Sequence, residues 1–357
     1  MALEAVISPP PPPGTFPYRL ARLGVIMRRR PGVRAEAEGV LNPASATTPD
    51  GTVWLLPRLV GPGNESRVGL ARVVVEDGVP VGAEPPQVVL EPEAHWEMSA
   101  DHAGVEDPRV TWVPSLGVWV MCYVALGPTG PRLALAVSRD LRYWQRLGPV
   151  RFAYDQAAAV DLGVLDNKNG ALFPEPVPGP DGRPSYALLH RPVWDSRPAF
   201  RQGRAYTPSW LGDARPSIWI SYAPAEEVQA DLSRLATFGR HRVVASPGGE
   251  FESSRIGAGT PPLRTPEGWL TFHHGVRLVS GRPRYCAGAM LLDLDDPAHV
   301  LARTEAPLLE PEAPEEREGT VPDVVFPTAI ERIGDRLFVF YGMADAAIGV
   351  AEVAVDR

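Results

Sequence analysis

The sequence predicts an all-β fold, a five-bladed β-propeller, and three observations carry that prediction. A unit made of a small polar motif, a strand, a tight turn and a returning strand recurs five times along the chain. The turns are the Gly, Pro and Asp clusters that hairpins require, and the runs between them are rich in β-branched and aromatic residues. The 34 glycines and 41 prolines are spread along all 357 residues, which favours many turns and few long helices.

The first unit opens at Asn42-Pro43-Ala44, turns at Thr48-Pro49-Asp50-Gly51 and returns as Val53-Trp54-Leu55-Leu56. The second opens at Glu106-Asp107-Pro108-Arg109, turns at Pro114-Ser115-Leu116-Gly117 and returns through Val118-Trp119-Val120-Met121-Cys122-Tyr123. Asn167-Lys168-Asn169-Gly170 opens the third, which returns as Tyr186-Ala187-Leu188-Leu189-His190-Arg191 after a Pro/Gly/Asp-rich turn. The fourth runs from Gly257-Ala258-Gly259, through Thr265-Pro266-Glu267-Gly268, to Trp269-Leu270-Thr271-Phe272-His273-His274. Val325-Phe326-Pro327 opens the fifth, which turns at Gly334-Asp335 and returns as Leu337-Phe338-Val339-Phe340-Tyr341. With anchors at 42, 107, 169, 258 and 326 the units are evenly spaced, apart from one long gap. That gap holds an insertion at 193–216, rich in Arg, Pro, Trp and Gly, read as a loop over one face. Even spacing of this size points to a radial repeat of four-stranded blades. The last unit has room for about three strands, so residues 18–27 are expected to supply its fourth and close the ring, removing exposed sheet edges. The chain thus divides into residues 1–35, a lead-in with five consecutive prolines (Pro9 to Pro13) followed by the ring-closing strand, and residues 36–357, a single propeller domain. A β-sandwich would not explain five matched units.

Composition narrows the function. A net charge of −8 argues against a general nucleic-acid binder. No stretch approaches the roughly 18 apolar residues of a membrane helix, and the first residues lack the pattern of a signal peptide. Cys122 and Cys286 lie inside apolar β-type runs and read as buried free thiols, which suits a reducing cytoplasm. No metal site or cofactor is expected, and homo-oligomers are compatible with the sequence.

In a propeller the first strand of each blade lines the central channel, so the five opening motifs converge at one end of it. The expected funnel holds two carboxylates, Asp107 and Asp345, and three cations, Lys168, Arg191 and one of His273 and His274. Two carboxylates suit sugar cleavage, and a Lys, Arg and His cluster suits an anion, most simply phosphate. Adjacent strand residues face opposite ways, so only one of the two histidines can face the funnel. Trp96, Trp194 and Trp210 fall in loops and are the tryptophans placed to stack on a sugar; Trp54, Trp119 and Trp269 read as blade core.

At this point the chain resembles glycoside hydrolase family 130, the β-mannoside phosphorylases and related mannosidases. The resemblance covers about residues 40–355 in order: Asn42-Pro43-Ala44, Arg58, Arg67, Glu106-Asp107-Pro108-Arg109, Asp166-Asn167-Lys168-Asn169, Leu172-Phe173-Pro174-Glu175, Leu189-His190-Arg191-Pro192, Gly257-Ala258-Gly259 with Pro261-Pro262, His274-Gly275-Val276, Val325-Phe326-Pro327, and Tyr341-Gly342 with Asp345. Each piece is short; their joint order is specific. The resemblance implies a five-bladed propeller, Asp107 as general acid, and phosphate binding by Lys168, Arg191 and His274. It places Asn42, Arg58, Arg67, Glu106, Tyr123 and Asp345 on the substrate. The implied reaction is inverting phosphorolysis of β-mannosides to α-mannose 1-phosphate. Phosphate is co-substrate and nucleophile, and the proton from Asp107 travels through a hydroxyl of the bound mannose. Lysine at 168 and threonine at 260 depart from the arginine and proline common in the family; with the insertion, they bear on the acceptor sugar rather than on the reaction. The rival readings are a β-mannosidase using water, a non-catalytic sugar-binding propeller, and a furanose-active five-bladed hydrolase, for which the further carboxylates are missing.

Overall fold

A computed structural model describes residues 16–99, 103–194 and 207–355. The proline run at 9–13 and residues 195–206 of the insertion lie outside the described residues. The described residues form an all-β fold, with only short helical turns such as Ala225–Ala230 and Pro314–Arg317 among them. Among the described residues the strands form four hydrogen-bonded sheets of four, nine, six and five strands. A single parallel bridge, Ser66 to Gly104, joins the first and second sequence units into the nine-stranded sheet. The strands therefore fall into five groups, one per unit.

The opening strands are Gly39–Thr47, Gly104–Val113, Asp166–Leu172, Arg255–Ala258 and Val325–Ile333. Each pairs antiparallel with its return strand: Val53–Gly61, Val118–Gly127, Pro184–Val193, Gly268–Val279 and Arg336–Met343. The opening strands of the first four groups also pack on one another in sequence order, and Val325–Ile333 packs on the return strand of the fourth group and back on Gly39–Thr47. Thr111 Oγ1 donates to Leu172 O (3.2 Å) and Thr328 Oγ1 to Pro43 O (2.6 Å), tying neighbours together. The first strand, Tyr18–Arg28, pairs antiparallel with the last, Ala347–Val355, so the fifth group takes one strand from each end of the chain.

Burial explains why the return strands read as unbroken apolar runs rather than alternating ones. Each is buried on both faces and feeds two cores. Leu55 points into the cluster shared with the fifth group and Leu56 into the one shared with the second. Val120 packs toward the third group and Met121 toward the first. Leu188 and Leu189 divide in the same way between the second and fourth groups.

Two polar features repeat as well. Asn42, Asp107 and Asn169 all have left-handed backbones, with φ of +41°, +46° and +59°. Each sits at a register shift in its opening strand, between Leu41 and Ala44, Glu106 and Arg109, and Lys168 and Ala171. One β-bulge thus recurs at the same place in three groups, and Asn and Asp tolerate its left-handed residue better than other side chains do. The second feature is a buried strut. In the second, fourth and fifth groups a fully buried glutamate accepts from an aromatic residue of the return strand and from an arginine of an outer strand or loop. The sets are Glu97 with Tyr123 and Arg146, Glu252 with His273 and Arg303, and Glu316 with Tyr341 and Arg22.

Candidate active site

The bulges aim Asn42 and Asp107 at each other. Asn42 Nδ2 donates to Asp107 Oδ1 at 2.9 Å, and Arg58 Nη1 donates to the same oxygen at 3.1 Å. Arg58 comes from the return strand of the first group, opposite Leu41. Its other terminal nitrogen reaches Glu106 Oε1 at 2.7 Å, and its Nε donates to Ser66 Oγ. Arg109, 1% exposed, holds the bulge from behind, with Nη1 on the Asp107 carbonyl (2.8 Å) and Nε on the Gly259 carbonyl (3.0 Å). Asp345, in the left-handed turn after Arg336–Met343, completes the cluster electrostatically.

These surroundings divide the carboxylates. Burial alone would raise the pKa of Asp107, but Arg58, Arg109, the Asn42 hydrogen bond and Lys168 together outweigh it and hold the carboxyl below its ordinary range. Asp345 moves the other way, to about 6, through burial and then the charge of Asp107. Opposed shifts within one carboxylate pair are a common mark of acid and base chemistry.

Next to this cluster lies a cavity of about 330 Å³ lined by Lys168, Arg191, Arg255, Ser254, Tyr285 and Asp166, among others. Lys168 and Arg191 face each other as a strand pair. Arg191 Nη1 donates to His274 Nε2 at 2.9 Å. His274 is therefore an acceptor there and not a cation: burial first, then Arg191 and Arg109, push its pKa well below the ordinary histidine value. The expected third cation is instead Arg255, which the sequence reading passed over. It donates to Tyr285 Oη at 2.6 Å and lies over that ring. Burial and the neighbouring Arg255 lower the pKa of Arg191 to about 10, as like charges gathered in one pocket do. The signal was present, because Arg255 is two residues before Gly257 and two strand residues share a face.

Five buried polar atoms in this region have no partner among the described residues: Asn42 Oδ1, Asn169 Oδ1, Arg109 Nη2, Arg191 Nε and His274 Nδ1. Gly257 lets the walls close up. A Cβ there would lie 2.6 Å from His274 Cε1 and 2.7 Å from Asn169 Oδ1. A concave, cationic site with orphaned donors and a nearby carboxylate pair can hold an oxyanion against a polar substrate.

Not every expected residue is here. Tyr123 is 1% exposed and its hydroxyl donates to Glu97 Oε1 at 2.6 Å. It belongs to a strut, because its side chain leaves the return strand toward the core shared with the first group. Arg67 lies one strand beyond Arg58 and pairs with Glu65 at 2.5 Å. Of the two histidines, His273 turns to Glu252 and His274 to Arg191, as strand alternation requires. Trp194 is core, 5% exposed. Among the described residues no group of three His, Cys, Asp or Glu side chains is arranged to hold a metal ion. No helix among them is long and apolar enough to cross a membrane.

Comparison with known proteins agrees with this geometry. The family model for glycoside hydrolase family 130, described as beta-1,4-mannooligosaccharide phosphorylase, matches residues 63–357. A 1,2-beta-oligomannan phosphorylase of Thermoanaerobacter sp. is 32% identical over 71% of this chain and 70% of its own length. A beta-1,2-mannobiose phosphorylase of Listeria innocua is 32% identical over 71% of this chain, but only 59% of that relative is spanned. The solved structure of a Listeria innocua beta-1,2-mannobiose phosphorylase with bound beta-1,2-mannobiose superposes with a TM-score of 0.68, at 26% identity, over 94% of this chain and 96% of that one. The fold and the sequence are those of a glycoside-active family. The chain belongs to glycoside hydrolase family 130.

Proposed function

We propose that this protein is an inverting β-mannoside phosphorylase, cleaving β-linked manno-oligosaccharides or mannosyl-glucose-type substrates with inorganic phosphate to give α-mannose 1-phosphate. The observation that carries the reading is the cavity where Lys168, Arg191 and Arg255 meet beside the Asp107 cluster. A water nucleophile would have no use for three converging cations, and a phosphate dianion would.

In this reading phosphate sits among Lys168, Arg191 and Arg255 and attacks the anomeric carbon. His274 contributes through its hydrogen bond to Arg191 and, at its unpartnered Nδ1, as a neutral donor. Asn42, Arg58 and Asp345 hold the mannose to be transferred, while Glu106 fixes the Arg58 guanidinium. Asp107 gives the leaving oxygen its proton, relayed through a hydroxyl of the bound sugar. The ligand-free protein keeps Asp107 ionised, so the acid role needs a change on binding. A phosphate dianion supplies one, because it offsets the field of the cations that hold the carboxyl low. Fixed charges aimed at the anion and at the leaving group supply the rate enhancement.

The proposal extends to architecture. The five strand groups are the blades of a propeller, with residues 36–357 as one catalytic domain and Tyr18–Arg28 closing the ring. The neighbour order of the opening strands and the pairing of the first strand with the last support this reading. The buried free thiols of Cys122 and Cys286 support a reducing, cytoplasmic setting.

The test is incubation of β-1,2- and β-1,4-manno-oligosaccharides with and without phosphate, following mannose 1-phosphate. Turnover that requires phosphate is expected, with loss of roughly a thousandfold or more in an Asp107→Asn variant. Equal turnover without phosphate would establish the hydrolase reading instead.

A further inference from the structure

Trp210 takes no part in the chemistry described above, yet it is built as a binding surface. It lies in the short helical turn Ser209–Leu211, inside the insertion, and is 51% exposed. An open aromatic ring is ordinary by itself, as Tyr143 and Tyr154 show at 81% and 62% exposed. This one is immobilised. Its Nε1 donates to the Ala158 carbonyl at 2.9 Å, and its ring meets the fully buried Trp219 edge to face at 6.1 Å. What remains open is a fixed, flat apolar face.

That face lines a cavity of about 510 Å³ whose other walls are Ala157, Ala158, His241, Arg242 and Val243. The alanines leave room. Arg242 pairs with Asp296 through two contacts of 2.6 and 3.1 Å, and both side chains are more than 40% exposed. An indole face beside a carboxylate–guanidinium pair matches a pyranose. The C–H face of the ring lies on the indole, and the hydroxyls find donors and acceptors at the rim.

The pocket lies at the level of the proposed phosphate site. His190, next to Arg191, pairs with Trp219, and Trp219 pairs with Val243. Two strand spacings, about 10 Å, therefore separate the backbone beside Arg191 from the pocket wall at Val243. Pro216, which ends the insertion, lines the same cavity as Lys168, Arg191 and Arg255.

We infer that the Trp210 pocket is a second carbohydrate-binding site, which holds the distal rings of a longer β-linked manno-oligosaccharide while its reacting end lies at Asp107. This rests on the phosphorylase reading and adds to it a preference for chain length. The ligand is a neutral polymer fragment of several mannose units rather than a disaccharide.

The experiment compares the parent protein with Trp210→Ala and Trp210→Phe on mannobiose and mannotetraose of one linkage. KM is measured with saturating phosphate, and direct binding by calorimetry without it. In the parent, KM is expected to fall by about fivefold or more from the dimer to the tetramer, the size of one aromatic contact. Trp210→Ala should erase that difference while leaving kcat and the mannobiose KM unchanged, and Trp210→Phe should keep part of it. A length dependence that survives Trp210→Ala, or an equal loss on both substrates, overturns the inference. If no mannoside is turned over at all, the phosphorylase reading fails. The calorimetric difference between parent and Trp210→Ala on mannotetraose still decides whether the pocket binds sugar.

Discussion

At the scale of single residues, the sign of each charge matters more than its position. Asp107 is held ionised by Arg58, Arg109, Asn42 and Lys168, which outweigh its burial. An anion bound beside Lys168 should raise its pKa, and a general acid works on the low-pH side of its pKa. The basic limb of the pH profile should therefore move to higher pH between kcat/KM for phosphate, which reports the phosphate-free form, and kcat at saturation. Coincident limbs in the two profiles would show that phosphate does not govern the acid. Arg255→Met should raise KM for phosphate by about tenfold or more, the loss of one charge-assisted contact, with a smaller change in KM for the mannoside. Asp107, Lys168, Arg191 and their neighbours were legible in the sequence because they stand in contiguous motifs at strand mouths. The charge of His274 was not, since it depends on burial and on Arg191, which lies on another strand group.

At the scale of elements, one bulge used three times explains why Asn42, Asp107 and Asn169 stand where they do. A left-handed position favours Asn and Asp over most residues, so part of the identity of Asp107 is a backbone requirement. For this reason Asp107→Asn, which keeps that tolerance, separates chemistry from folding better than Asp107→Ala. The struts make the complementary point. Tyr123→Phe should leave kcat near the parent value and destabilise the fold by about 1.5–3 kcal/mol, because it removes a buried hydrogen bond to a carboxylate. A fall in kcat at unchanged stability would return Tyr123 to the substrate. Turns and strand pairs were readable from local sequence. The strut was not, because Glu97 sits in a loop outside any repeated motif and only the fold brings it to Tyr123.

At the scale of the whole molecule, the fifth strand group invites two tests. Glu331, on Val325–Ile333, accepts from Thr47 Oγ1 at 2.7 Å at the end of Gly39–Thr47. Burial raises its pKa to about 7, above the ordinary glutamate value. Its contribution to stability is then complete below the unfolded pKa and is lost as pH rises through about 7. Glu331→Gln should accordingly raise Tm by roughly 2 °C at pH 8 and give no gain below pH 4.5; a gain of equal size at both pH values would dissociate the effect from ionisation. Removing Tyr18–Arg28 should expose the Ala347–Val355 edge and leave Glu316 without Arg22, so that the protein unfolds at lower temperature and aggregates. A truncated chain with the parent Tm would show that the strand is dispensable.

The pairing of Tyr18–Arg28 with Ala347–Val355 also fixes an order of events in biosynthesis. On the ribosome the first strand emerges long before its partner exists, and no other described strand pairs with it. It must wait unpaired until the closing strand is made. Because that last join spans almost the entire chain, it is the contact with the greatest loop-closure entropy and the natural candidate for the slow step of folding. Demand for a chaperone should thus fall on the two strands of this join rather than on the strands between them.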